Sequence, residues 1–140
     1  MSSARPSLTL TLLQAREAAM AFFRPWLNQN GLTEQQWRII HILRLQGEME
    51  SYQLAEQACM LKPSITGVLS RLGRDGLVRR RKSPQDRRRV LVELTEKGQK
   101  CFDVMSEDME LNYQRLLSQF GGENHQVLIG LLLELKGVKP

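Results

Sequence analysis

Apolar residues recur three and four positions apart along most of this chain, and the spacing changes only in one short stretch. From Leu8 to Asn28 the period predicts a first helix, closed near Gly31, behind an arm over residues 1–6. Thr33 opens a second helix. Gln36, three residues on, makes a capping box, and Trp37, Ile39, Ile40, Ile42, Leu43 and Leu45 cover most of the circumference before Gly47. Glu48–Glu50 suits a short strand. Ser51 is the expected cap of a short third helix, Tyr52–Cys59, whose apolar face is Leu54, Ala55 and Ala58. After a tight turn at Met60–Leu61, a fourth helix is expected from Lys62 to Asp75, with Pro63 in its first turn and Gly76 as its stop. Leu77–Lys82 and Arg89–Leu94 have strand composition, joined by a turn containing Pro84 and Asp86. Thr95 caps a fifth helix reaching about Phe120. After Gly121–Gly122, a sixth runs from Glu123 to Lys136.

On a wheel, the fourth helix divides sharply. Leu61, Ile65, Val68, Leu69 and Leu72 fall on one arc, whereas Pro63, Ser64, Thr66, Gly67, Ser70, Arg71 and Arg74 lie on the opposite one, and Lys62 at the helix start is a further DNA-binding candidate. One face is core. The other is small, polar and basic, the composition of a helix that enters a major groove, where hydroxyls and guanidinium groups read base edges. A short helix, a tight turn and this longer helix form a helix-turn-helix.

Charge strengthens the reading. The formal net charge is +5, but residues 62–93 hold ten Lys/Arg against three acids, +7, and the remainder is slightly acidic. Such a block marks a polyanion site. A hairpin bearing Arg79, Arg80, Arg81 and Lys82 on one strand and Arg87, Arg88 and Arg89 at its tip is built to lie along phosphates, with one tip arginine in the minor groove. Asp86 is expected both to shape the turn and to hold an arginine by a charge-assisted bond. The predicted fold class is mainly α with a small β wing. A winged helix-turn-helix DNA-binding domain spans 33–95, and a helical dimerisation region combines 1–32 with 96–140.

The dimer expectation comes from the last helix. Val127, Leu128, Ile129, Leu131, Leu132, Leu133 and Leu135 leave it little polar circumference, and such a helix needs cover on several sides. A second copy supplies it. Leu12 on the first helix, Phe120 on the fifth, and Leu128, Leu131, Leu132 and Leu135 on the sixth are the expected contacts. Two-fold symmetry would also present two recognition helices to successive major grooves.

Arg16 stands within the apolar arc of the first helix, beside Leu12, Ala19, Met20, Phe23 and Leu27. A guanidinium there needs an anion, either a ligand carboxylate or an internal Asp or Glu. Ser7, Trp37 and His41 are candidate neighbours of the same pocket, although the everyday place of such a Trp or His is core or boundary. An effector wedged between lobes would favour a state whose recognition helices are mis-spaced for DNA.

Other classes fare worse. The chain has no Gly-rich phosphate loop, HExxH or GxSxG, so no enzyme is expected and no catalytic residue is assigned. Cys59 and Cys101 lack CxxC spacing and read as reduced thiols; Cys59 is the redox-switch candidate. His41 and His125 are too far apart to suggest a metal site. No stretch resembles a signal peptide or a membrane span, so a cytoplasmic location is expected. An effector-independent DNA-binding protein and a redox-responsive repressor are the alternatives. An RNA-binding role lacks stacking aromatics on the fourth helix.

The stretch KPSITGVLSRLGRDGLVRR, then DRRR and VELTEKG, resembles the winged helix of the MarR family, and the element order on both sides extends the likeness over nearly the whole chain. FRPWLNQNGLTEQQWR resembles a narrower branch, the regulators of homoprotocatechuate-degradation operons (HpaR type). The resemblance implies a homodimer on a palindromic operator, usually repressing; no cofactor is expected. It also implies a small aromatic acid held between the dimer helices and the DNA-binding lobe, for this branch a hydroxyphenylacetate or related catechol. Peroxide-sensing members carry their cysteine in the first helix, where this chain has none. Two positions depart from the pattern. Leu61 stands where a Ser or Thr often caps the recognition helix, at a cost of about 1 kcal/mol, and Gly67 replaces a larger exposed side chain.

Overall fold

The computed structural model describes residues 4–140; the first three residues of the expected arm lie outside the described residues. The chain forms α1 (Leu8–Met20), α2 (Arg24–Gln29), α3 (Glu34–Gln46), β1 (Met49–Glu50), α4 (Ser51–Gln57), α5 (Lys62–Arg74), β2 (Val78–Lys82), β3 (Val90–Leu94), α6 (Glu96–Phe120) and α7 (Gly122–Lys136).

The single long first helix of the sequence reading is two helices. Pro25 has no N–H to donate to the fourth residue before it and its ring crowds that turn, so it is tolerated only in the opening turn of a new helix. The chain accordingly leaves α1 at Ala21, and Phe22 and Phe23 donate to Ala19 and Met20 in a tight turn before α2 begins. Leu27 is thereby removed from the arc that was to surround Arg16. It is buried elsewhere, with Trp26. A second correction concerns α4. Ser51 is its first residue rather than its cap; Glu50 holds the cap position and makes no side-chain capping bond.

The capping box at α3 is complete. Thr33 Oγ1 accepts from the Gln36 N–H at 3.1 Å, and Gln36 Oε1 accepts from the Thr33 N–H at 2.9 Å. The sheet is antiparallel in the order β1-β3-β2, which leaves β2 at an edge. Its register pairs Val78 with Leu94, Arg79 with Glu93, Arg80 with Val92 and Arg81 with Leu91.

The chain divides into two compact units, Trp26–Glu107 and, from the two ends, the chain up to Pro25 with Asp108–Pro140. The boundaries lie outside the expected 33–95, because Trp26, Leu27 and Leu32 ahead of that stretch and Met105 beyond it are buried in the central unit. Every buried hydrophobic side chain among the described residues belongs to the central unit, from Trp26 to Met105; Ile39, Ile40, Leu43, Leu54, Leu72 and Val92 are its most enclosed large members. Neither α1 nor α7 buries a residue.

Candidate nucleic-acid interface

In α5 the spacing read from the sequence becomes a two-sided helix. Ile65, Val68, Leu69 and Leu72 are buried, while Lys62, Pro63, Ser64, Thr66, Gly67, Ser70 and Arg71 are all exposed. Leu61 holds the cap position without a side-chain bond. A Cβ placed on Gly67 would meet nothing within 4 Å, so that residue faces open space.

The exposed ridge stands between two hollows. One, of about 490 Å³, is bounded by Ser51 and Tyr52 of α4, Lys62 and Thr66 of α5, and Arg80, Arg88 and Arg89 of the wing. The other, of about 300 Å³, lies between Thr33, Gln35 and Gln36 at the start of α3 and Ser64, Gly67 and Arg71 of α5. A polar, basic ridge with a cationic hollow beside it has the shape and charge to follow a groove and its phosphate rim.

The wing is ordered by ion pairs. Asp86 does two jobs at the tip: its Oδ1 accepts from the Arg88 N–H at 3.0 Å, closing the turn, and its two oxygens receive Arg88 Nε and Nη2 at 3.2 and 3.3 Å. The Arg88 guanidinium, then its N–H, hold the Asp86 carboxyl below its ordinary value. Arg88 remains 91% exposed, a charge offered outward. Arg89 donates to both Glu50 oxygens at 3.2 and 3.3 Å and lies 5.7 Å over the Tyr52 ring. Arg79 is bound by Glu93, at 3.0 and 2.7 Å, and Arg81 by Glu48, at 3.3 and 3.1 Å. Arg87 is exposed at the tip.

The candidate effector residues fall in both units. In the terminal unit, Ser7 caps α1, its Oγ accepting from the Leu10 N–H at 3.2 Å. Arg16 is 42% exposed, not enclosed in an apolar arc, with Glu17 at 3.7 Å. In the central unit, Trp37 is buried, stacked on Phe102 at 5.3 Å and edge-on to Trp26 at 4.9 Å. His41 is half-buried, 6.0 Å from Trp37 and 5.6 Å from Phe102.

Burial pushes the His41 imidazole below its ordinary value of 6.5. The unfolded chain therefore takes up a proton before the folded one does. Stability is complete above pH 6.5 and falls as pH drops through that value. Thermal melts are expected to show a midpoint that declines from pH 7.5 to about pH 5.5, less so in His41→Gln; equal declines in both proteins would rule out His41 as a source.

Of the expected dimer contacts, Phe120, Leu128, Leu131 and Leu135 are exposed and Leu12 and Leu132 half-buried. Cys59 is exposed, with φ 55° in the turn between α4 and α5, while burial pushes the Cys101 thiol up. Among the described residues, no three His, Cys, Asp or Glu are grouped to hold a metal ion. No described helix is long and apolar enough to cross a membrane.

Sequence reasoning placed Arg80 on the basic strand without singling it out from its neighbours, and it did not assign Tyr52 or Ser51 to the site; all three border the larger hollow. The alternation of β2, started from buried Val78, was the available signal for Arg80: it puts residue 80 on the same side as residue 78.

The sequence signature of the MarR family matches residues 32–90. The homoprotocatechuate degradative operon repressor of Escherichia coli is 47% identical over 128 residues, 91% of this chain and 86% of that one. The chain belongs to the MarR family. Two solved members resemble it in three dimensions. One, the transcriptional regulator PA4135, is 72% identical with a TM-score of 0.95 over 97% of this chain and 100% of that one. The other, NadR in complex with 4-hydroxyphenylacetate, is 42% identical with a TM-score of 0.86 over 99% of each chain. For this MarR-family chain, α4 and α5 are the helix-turn-helix and β2–β3 the wing.

Proposed function

We propose that this protein is a homodimeric, sequence-specific DNA-binding repressor that governs an aromatic-degradation operon and leaves its operator when a hydroxyphenylacetate or related phenolic acid binds. The carrying observation is the exposed polar ridge of α5, Lys62 to Arg71, beside a wing whose tip arginine is aimed outward by Asp86. The partner is duplex DNA, a palindromic operator read by two copies. The second copy is called for by α1 and α7, which carry exposed leucines and bury nothing within one chain. We assign no catalytic activity, no metal and no cofactor, and we place the protein in the cytoplasm with its DNA.

The effector reading is supported by the relatives. NadR was solved with 4-hydroxyphenylacetate, and the repressor of Escherichia coli is named for an aromatic-degradation operon. We propose Ser7 and Arg16 in the terminal unit, and Trp37 and His41 in the central unit, as contributors to the response. Arg16 would meet the carboxylate.

The test is a mobility-shift titration on DNA upstream of the protein's own gene, with and without 4-hydroxyphenylacetate. Arg71→Ala and Arg88→Ala are each expected to weaken binding by about 1–3 kcal/mol with unchanged thermal melts. Full affinity in both would reject the DNA face. Arg16→Ala is expected to bind DNA normally and ignore the acid; an intact response would remove Arg16 from the effector site.

A further inference from the structure

The wing carries more cations than it leaves available. In β2, Arg79 and Arg81 share one face of the sheet; Arg80 is on the other, opposite buried Val92. Because β2 is the edge strand, the Arg80 side chain is not covered by a further strand. It reaches across to α5, where its Nη2 lies 3.4 Å from the point a Cβ on Gly73 would occupy, and it forms a wall of the 490 Å³ hollow with Lys62 and Arg88.

On the outer face each arginine has an acid partner. Glu93, directly opposite Arg79, takes that guanidinium through two donors, and Glu48, just ahead of β1, takes Arg81 through two more. A guanidinium held by a carboxylate keeps other N–H donors, but the acid offsets much of its charge, and Arg79 and Arg81, 62% and 49% exposed against 91% for Arg88 at the tip, have less to offer a phosphate. Arg80 makes no ion pair with an acid among the described residues, so no acid offsets its charge. Its place on the α5 side sets it at the rim that a groove-bound recognition helix brings against the DNA backbone.

We propose that the wing divides its cations by face. Arg80 is a DNA-phosphate contact, whereas Arg79 and Arg81 are braces, paired internally with Glu93 and Glu48 to fix the sheet. This partition rests on the DNA-binding reading and assigns within it a phosphate contact on the strand, separate from the wing tip.

The test uses the full chain and a mixed-sequence duplex of about 30 base pairs, since nonspecific affinity is almost wholly phosphate contact and needs no knowledge of the operator. Affinity is measured against salt. Arg80→Gln is expected to lower affinity roughly tenfold at low salt and to reduce the slope of log affinity against log salt by about 1. Arg80→Lys keeps the charge and is expected to keep the slope, which separates charge from any structural effect of the Gln variant. Arg79→Gln and Arg81→Gln are expected to leave the slope unchanged while lowering the thermal midpoint. An unchanged slope in Arg80→Gln, or an equal loss in Arg79→Gln or Arg81→Gln, would overturn the partition. No salt-dependent binding by the wild-type chain would overturn the DNA-binding reading, and the partition with it.

Discussion

Gly98→Ala is expected to destabilise the folded chain by about 3 kcal/mol or more, lowering the melting midpoint by roughly 10 °C. Gly98 lies in the first turn of α6 and is buried. A Cβ there would stand 2.2 Å from the Leu77 carbonyl oxygen and 3.0 Å from Leu94 Cδ2. A flexible side chain could swing aside, but the 2.2 Å neighbour is backbone and is tied in place. The Thr95 N–H donates to that same Leu77 oxygen at 3.1 Å, while Thr95 Oγ1 donates to the Gly76 carbonyl at 2.6 Å and accepts from the Gly98 N–H at 3.1 Å. These bonds fasten the end of β3 and the start of α6 to the residues that lead into β2. An added methyl group must break this lacing or push α6 off the sheet. The same change at Gly67, where a Cβ meets nothing, is expected to raise stability by roughly 0.5–1 kcal/mol, because alanine suits a helix interior better. Urea melts of the two variants make the comparison; a Gly98→Ala midpoint close to wild type would reject the close-approach account.

The contrast between these glycines shows what a sequence can and cannot carry. Both occur in helical segments, and nothing local separates them; only the packing of Gly98 against the Leu77 backbone does. Two features set by an element's own residues matched expectation, while the cap of α4, expected at Ser51, fell on Glu50. The Thr33–Gln36 box and the two faces of α5 depend on neighbours three and four apart, and both formed as expected. Pro25 was also legible, but the apolar period on either side of it masked its missing N–H, so α1 and α2 were joined. The state of Arg16 was not legible. A wheel ranks a residue's neighbours on its own helix, whereas exposure depends on what the other elements cover, and within one chain nothing buries α1. The wing lay between these cases. The alternation of β2 separates Arg80 from Arg79 and Arg81, but their acid partners, Glu93 and Glu48, are 14 and 33 residues distant and become evident only once the strands are in register.

Leu131→Asp is expected to convert the dimer to monomers at micromolar concentration and to reduce operator affinity by about a hundredfold or more. Leu128, Leu131, Leu132 and Leu135 recur at intervals that set them along one side of α7, and no residue of that helix is buried within a single chain. Leu131 is 58% exposed, so an aspartate there costs the protomer little in its own packing. In a dimer the same carboxylate would be taken from water into an apolar contact without a partner. An uncompensated buried charge costs about 3–5 kcal/mol, some two to four powers of ten in the dissociation constant. The penalty reaches DNA because two linked recognition helices engage two half-sites with the second contact made effectively intramolecular, an advantage a monomer lacks. Sedimentation equilibrium and mobility shifts on one sample separate the two effects. A Leu131→Asp chain that remains dimeric would remove α7 from the interface, and one that dissociates yet binds the operator at full strength would break the link between dimerisation and DNA recognition.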